Sequence, residues 1–137
     1  MMADTMQFDL VSPERSLHSA QVTRVQLHGE EGEMTVMPNH VPTLTLLRPG
    51  FMTVHEGGEV HDYVVTGGFA EIGPDGLTVL AEQATLRADV TTDWIERVID
   101  AAEKAALDAP ADIHITMNQR VNHARFLAQQ LGITPNI

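Results

Sequence analysis

The sequence predicts an α+β protein: a β-sandwich or flattened barrel of eight to ten short strands, followed by an antiparallel two-helix hairpin. Three observations lead there. Nine of the ten glycines and five of the seven prolines lie before residue 77. Up to that point apolar and polar residues alternate in short runs separated by turn residues, as half-buried strands do. Apolar spacing of three and four residues begins only after residue 90, which is the mark of an amphipathic helix. A β-rich half followed by an α-rich half reads as α+β or as two small domains in series. The expected division is a sandwich over 1–87 and a hairpin over 88–137.

Each element has its own signal. Met6 to Val11 alternates cleanly and Ser12-Pro13-Glu14-Arg15 is a turn, while Leu17 to Ala20 is too short to assign. Val22 to Leu27 alternates again, with Val22 out of phase against Val25 and Leu27, and a bulge near Thr23 would absorb the slip. An acidic turn follows at Gly29-Glu30-Glu31-Gly32-Glu33, then a short apolar strand from Met34 to Met37. Pro38-Asn39-His40-Val41-Pro42 comes next. Two prolines four residues apart each remove a ladder donor, so they set a rigid bend at a sheet edge, with Asn39 and His40 at its tip. Leu44 to Leu47 ends at Arg48-Pro49-Gly50, and Phe51 to Val54 leads into the hairpin turn Glu56-Gly57-Gly58-Glu59. His61 to Val65 returns, Gly67-Gly68 kinks the chain into Phe69 to Ile72, and Pro74-Asp75-Gly76 turns it into Leu77 to Leu80.

In the helical half, Asp93 with Glu96 three residues on forms a capping pair. Trp94, Val98, Ala101 and Ala105 make one apolar row, and Ile95, Ile99 and Ala102 the next. Asp108-Ala109-Pro110-Ala111 breaks this helix. A second is expected from about Asp112 to Leu131, with Ile113, Met117, Val121, Ala124, Leu127 and Leu131 inward, before Gly132 and Pro135 stop it. A short connection makes the two antiparallel. The first stripe is rich in alanine and buries little area, and neither helix has a large core of its own.

Composition narrows the function. The 137 residues carry a formal charge of −11, spread along the chain. Nothing in it can neutralise a phosphate backbone or hold an anionic membrane surface, so a basic protein partner is favoured. No cysteine is present, which removes disulfide, thiol and thiolate-metal chemistry. The start carries early acids and no long apolar core, unlike a secretory signal, and no run approaches the roughly 20 apolar residues of a membrane span. The seven histidines, at 18, 28, 40, 55, 61, 114 and 123, show neither His-x-His nor His-x-x-x-His spacing, so no metal is expected. There are three serines and no nucleophile elbow, and the paired glycines precede strands rather than helices, so neither hydrolysis nor phosphate cradling has a candidate. The chain reads as a binding module without a cofactor, not as an enzyme. Stiff, exposed loops such as the proline corner and the acidic turn are where such a module binds. The alternative is a small jelly-roll-like ligand-binding protein or enzyme with the hairpin as a lid.

Two blocks of residues carry a resemblance. The acidic turn, the Pro-x-His-x-Pro corner and Arg48-Pro49-Gly50 form one. Thr66-Gly67-Gly68-Phe69-Ala70-Glu71-Ile72 followed by Thr78-Val79-Leu80-Ala81-Glu82 forms the other. Together they resemble the epsilon subunit of the bacterial rotary ATP synthase, in order and spacing, over nearly the whole chain. Asn39 stands where that family usually has Gly, and Asn also tolerates positive φ. The resemblance implies a ten-stranded sandwich, then a helical hairpin, at the foot of the central stalk on the cytoplasmic face of the bacterial inner membrane, peripheral and without lipid insertion. It implies a rotor-coupling role in proton-driven ATP synthesis, joining the gamma subunit to the c-ring. It puts Glu30, Glu31, Gly32 and Glu33, with His40 nearby, against polar c-ring loops that carry a basic residue. It puts Ser12 and Thr45 against gamma.

In this family the hairpin can swing up along gamma, meet the catalytic alpha and beta subunits and block hydrolysis, usually through a second helix rich in Lys and Arg. From Asp89 onward this sequence holds four basic residues against seven acidic ones, and it ends soon after Leu131, earlier than in many relatives. The nucleotide motif of some relatives, Ile/Leu-Asp-x-x-Arg-Ala, has only a degenerate match at Asp93 to Val98, with Asp93 and Arg97 one residue too far apart and no Ala. The resemblance therefore implies weak or absent ATP sensing and weak inhibition of hydrolysis.

Overall fold

The computed structural model describes residues 4–135, and only the backbone at His114 and Ile115. Eight strands come first. They are β1 (Met6–Val11), β2 (Ser16–Val22), β3 (Arg24–Gly29), β4 (Gly32–Val36), β5 (Thr43–Leu46), β6 (Gly50–Glu56), β7 (Glu59–Ile72) and β8 (Gly76–Leu86). Two helices follow, α1 (Thr92–Asp108) and α2 (His114–Gln130), with a 3₁₀ turn before each. The chain divides into two units, Met1–Ala88 and Asp89–Ile137.

In the first unit one sheet runs in the order β2-β1-β8-β7-β6-β3-β4, with β5 paired to β7 off that path. It does not close: β2, β4 and β5 each have a single strand partner. β1 alone pairs in parallel, with β8. β7 is what folds the sheet. Its first half, to Val65, pairs with β6, and its second half, from Phe69, pairs with β5, while β8 follows it along both. The break falls at Gly67 and Gly68, with φ of 52° and 94°. A Cβ on Gly68 would stand 1.9 Å from the carbonyl oxygen of Leu80, so no side chain fits where β8 crosses.

Strand alternation makes the core. Met6, Phe8 and Leu10 of β1 are buried while Gln7, Asp9 and Val11 are not. They join Val22, Val25, Leu27, Val36, Met52, Val54, Tyr63, Ile72, Leu77 and Val79 in one cluster shared by both halves of the sheet. Each such large side chain contributes roughly 1.5–3 kcal/mol by leaving water.

Several sequence expectations change here. The count is eight strands rather than ten, because the pieces on either side of Gly67-Gly68 form one continuous β7, and β8 likewise runs on through Glu82 to Leu86. Leu17 to Ala20 lies within β2, held by β1 across the Pro13-Glu14 turn. Val22 does not sit in a bulged β3. It ends β2, opposite Met6, and Thr23 is the bend, tied to His55 O through both its N–H (2.8 Å) and its hydroxyl (3.0 Å). Its phase differs from that of Val25 because the two belong to different strands.

In the second unit, Thr91 rather than Asp93 caps α1: its hydroxyl accepts from the N–H of Trp94 at 3.1 Å. Ser or Thr in that place contributes about 1 kcal/mol. Ile95, Val98, Ile99 and Ala106 of α1 and Ala124, Leu127 and Ala128 of α2 are buried, whereas Ala101 and Ala105 are exposed. Ile113, expected inward, is exposed, because residues 111–113 wind as a 3₁₀ turn before α2 begins. α1 and α2 pack on one another, and the Arg125 guanidinium pairs with the Glu103 carboxylate across them.

Candidate functional site

The acidic turn is the two-residue link Glu30-Glu31 between β3 and β4, closed by the pair Gly29–Gly32. Gly32 has φ 134°, which excludes side chains with a Cβ at little strain. Leu46 at the end of β5 and Arg48 in the link to β6 pin the turn. The N–H of Glu30 donates to Leu46 O at 2.8 Å, the N–H of Arg48 donates to His28 O at 3.0 Å, and the Arg48 guanidinium donates to Glu30 O. A Cβ at Gly50 would meet the His28 ring at 3.1 Å, so Arg48-Pro49-Gly50 is the seat on which the turn rests. The backbone is thus held, and Arg48 spends its charge on a carbonyl. Glu30, Glu31 and Glu33 are exposed, and among the described residues none of the three carboxylates holds an ion pair. The result is a fixed concentration of negative charge.

The fold does not bring His40 to this turn. β4 runs away from it for roughly 13 Å at about 3.3 Å per residue before the proline corner begins. There Asn39 takes φ 66° and its N–H donates to Pro74 O at 3.1 Å. His40, half-buried, sets its Nδ1 2.7 Å from Val41 O. The corner therefore belongs with the Pro74 turn, where β4 ends and β5 begins.

Ser12 and Thr45 stand at opposite ends of one row of residues that crosses four strands. Register aligns Leu46 of β5 with Phe69 of β7, Leu80 of β8 and Val11 of β1. In that row Leu46 is 56% and Leu80 37% exposed, and Leu44, two residues along β5, is 68% exposed. Thr43 and Thr45 face the other way, opposite the buried Ile72 and Ala70. Four adjacent strands thus carry an apolar row on the outer surface, about 14 Å across at the usual strand spacing. Ser12 follows Val11 at one end, its hydroxyl turned onto Arg15 O (3.3 Å), and Thr45 precedes Leu46 at the other. Met37 and Val41 add exposed apolar surface beside the proline corner. Solitary exposed leucines are ordinary, but a contiguous row is the mark of a docking surface. The Thr-Leu-Thr-Leu alternation of β5 was visible in the sequence, but its phase was not.

In the helical unit, Asp93 and Arg97 pair with each other at 3.5 Å on the exposed face of α1. The shallow groove beside α2, lined by Asn122, Phe126 and Ile133 among others, gathers no nucleophile or base. His18, Glu56 and His61 converge elsewhere, with one ligand atom of each within 4.8 Å of the other two. No helix among the described residues is long and apolar enough to cross a membrane.

A pinned charged turn, an outward apolar row and a helical hairpin define an interaction subunit, built to be held by other proteins. The comparisons narrow this. Residues 5–87 match the family model described as ATP synthase, Delta/Epsilon chain, beta-sandwich domain. An ATP synthase epsilon chain of Ruegeria sp. is 51% identical over 111 residues, 81% of each chain. One of Rhodobacter capsulatus is 44% identical over 129 residues, covering 89% of this chain and 98% of that one. The fold is also similar to a chain of the Euglena gracilis mitochondrial ATP synthase, in an OSCP/F1/c-ring structure (TM-score 0.69, 20% identity, 96% of this chain and 84% of that one). A second likeness is to a chain of the Tetrahymena thermophila mitochondrial ATP synthase central stalk and c-ring (TM-score 0.65, 16% identity, 96% and 99%). The chain belongs to the ATP synthase epsilon-chain family. An epsilon chain is a subunit of the synthase and not itself catalytic, a peripheral part of a membrane-bound complex.

Proposed function

We propose that the sandwich couples the gamma subunit to the c-ring, with the outer row Val11-Leu80-Phe69-Leu46 seated on gamma and the acidic turn facing the c-ring. The outward apolar phase of β5 is the observation that carries this reading. Leu44 and Leu46 stand in water where Thr43 and Thr45 could have, a cost that burial against a partner removes. Ser12 and Thr45 then flank the gamma contact. His40 goes with the proline corner on that side and not with Glu30, Glu31, Gly32 and Glu33. The site of action is the cytoplasmic face of the bacterial inner membrane. Co-expression with gamma tests the core of this reading, with a soluble 1:1 complex as the expected product. A chain that stays alone at micromolar concentrations of gamma overturns it.

The unpaired carboxylates at 30, 31 and 33 support a basic counterpart on the c-ring, since complementary potentials set register and partner choice. Reversing all three to Lys changes the local charge by six units, two at each residue. ATP synthesis driven by a proton gradient is then expected to fall at least about tenfold, the equivalent of 1.4 kcal/mol of lost interaction. The gamma complex should stay intact. Undiminished synthesis in inverted vesicles would remove the turn from the coupling path.

For the hairpin we propose weak inhibition of hydrolysis and weak or absent ATP sensing. Asp93 and Arg97 satisfy one another, and of the four basic residues Arg97, Lys104 and Arg125 are paired to acids on the hairpin itself. Deleting residues 90–137 is expected to change ATP hydrolysis by the assembled complex by less than about threefold, below 0.7 kcal/mol. A many-fold rise would show a strong brake.

A further inference from the structure

Outside these surfaces, an edge strand and a hairpin distant from it in the chain bring two imidazoles and a carboxylate to one point. His18 comes from β2, Glu56 from the end of β6 and His61 from the start of β7, and one ligand atom of each lies within 4.8 Å of the other two. His18 Nε2 is 2.8 Å from Glu56 Oε1, and its Nδ1 is 2.7 Å from the Tyr63 hydroxyl. His61 Nε2 is 3.9 Å from Glu56 Oε2 and 3.4 Å from Glu59 Oε2. That nitrogen is shut off from solvent and makes no hydrogen bond. A buried polar nitrogen left in this state is unusual and asks for a partner.

The cluster is held in place before any ligand arrives. The His18 ring is boxed by Phe8 at 5.5 Å, His61 at 5.1 Å and Tyr63 at 5.8 Å between centroids. Tyr63 is buried, and burial, helped by the Glu56 carboxylate, raises its pKa and keeps the phenol protonated. Its oxygen can accept from His18 Nδ1–H, the outer contact that fixes Nε2 as the ligating nitrogen in histidine metal sites. Two neutral imidazoles and one carboxylate suit a borderline divalent ion, and four-coordinate zinc uses this donor set with a fourth position left over. Glu59, 73% exposed at its side chain, is within reach of that position.

We propose that His18 Nε2, His61 Nε2 and Glu56 form a binding site for a divalent transition-metal ion, with Zn²⁺ the best match, on the side of the sandwich where β2 meets the β6–β7 hairpin. Binding replaces the His18–Glu56 hydrogen bond: the Nε2 lone pair goes to the metal, and any proton that nitrogen carried leaves to solvent. The ion ties an edge strand to a hairpin more than 30 residues away in sequence, so it stabilises the folded chain against the unfolded one.

The test uses the full chain, freed of metal by EDTA. Calorimetric titration with ZnCl₂ is expected to saturate at one equivalent and to raise the thermal midpoint. CoCl₂ is expected to give the visible absorption of a tetrahedral site. His61→Gln and Glu56→Gln should each weaken binding by at least about tenfold, the cost that loss of even an outer-shell partner carries, while His40→Gln leaves it unchanged. His61→Gln removes a nitrogen that makes no hydrogen bond, so the metal-free variant should melt with the parent, and a loss of binding cannot then be laid to misfolding. Absence of saturable binding, or binding that survives both ligand substitutions, overturns the proposal.

Discussion

Gly68→Ala should unfold the sandwich, at a cost of about 4 kcal/mol or more, the range reserved for substitutions that leave the backbone nowhere to go. Two independent objections meet at this residue. Its φ of 94° lies where an L side chain is strained. The new methyl would also stand 1.9 Å from Leu80 O and 2.9 Å from the Cα of Ala81. Those are backbone atoms of β8, which cannot withdraw, because β1 holds the same strand from the other side through Leu10–Val79 and Val11–Leu80. Gly68 O also accepts from the N–H of Leu47 at 3.0 Å, so a shift would loosen the seat of the acidic turn as well. Urea unfolding followed by far-UV circular dichroism reads the effect. Gly58→Ala is the matched control: nothing lies within 4 Å of its added methyl, and its midpoint should move by less than about 0.5 kcal/mol. Equal midpoints for the two variants would mean that β7 and β8 do not cross as described.

The double substitution Leu44→Asp, Leu46→Asp should abolish the complex with gamma while sparing the fold. Both side chains are more than half exposed, so the isolated chain loses little by the change. In the complex, two carboxylates would be forced into an apolar contact without partners, a penalty of several kcal/mol. A loss of at least about 100-fold in affinity, or 2.7 kcal/mol, is expected. Thermal melting of the variant alone should overlay that of the parent. Undiminished affinity for gamma would show that the outer face of β5 is not the docking face, whatever else binds there.

Much of the architecture is legible in single strands. The period of two along Met6 to Val11 matches a strand that buries Met6, Phe8 and Leu10, and the Glu56 to Glu59 turn forms where two glycines stand. Pro38 and Pro42 predict an edge, and β4 and β5 on either side of them are edges. Errors arise where a local signal serves two descriptions. Gly67-Gly68 marks a corner inside one strand as readily as a gap between two. Thr91 and Asp93 are both good caps, and the choice falls to Thr91 because the helix begins at Thr92. Val22 looks misphased only until the chain is known to bend after it.

The sequence by itself settled the class of protein: a turn-rich β half, an α half, acidic surface chemistry, and two motif blocks that mark the epsilon-chain family. Alternation tells which residues share a side of a strand, but not which side is turned inward, because that depends on strands paired from elsewhere in the chain. So it took the tertiary structure to put Leu44 and Leu46 outside, to set His40 apart from the acidic turn, and to place Ser12 and Thr45 at the two ends of one four-strand row. The same holds for His18, Glu56 and His61, whose spacing in sequence carries no metal signature. Long-range register, set by the packing of Phe8, Val25, Val54 and Val79 into one core, decides such meetings, and no local pattern encodes it.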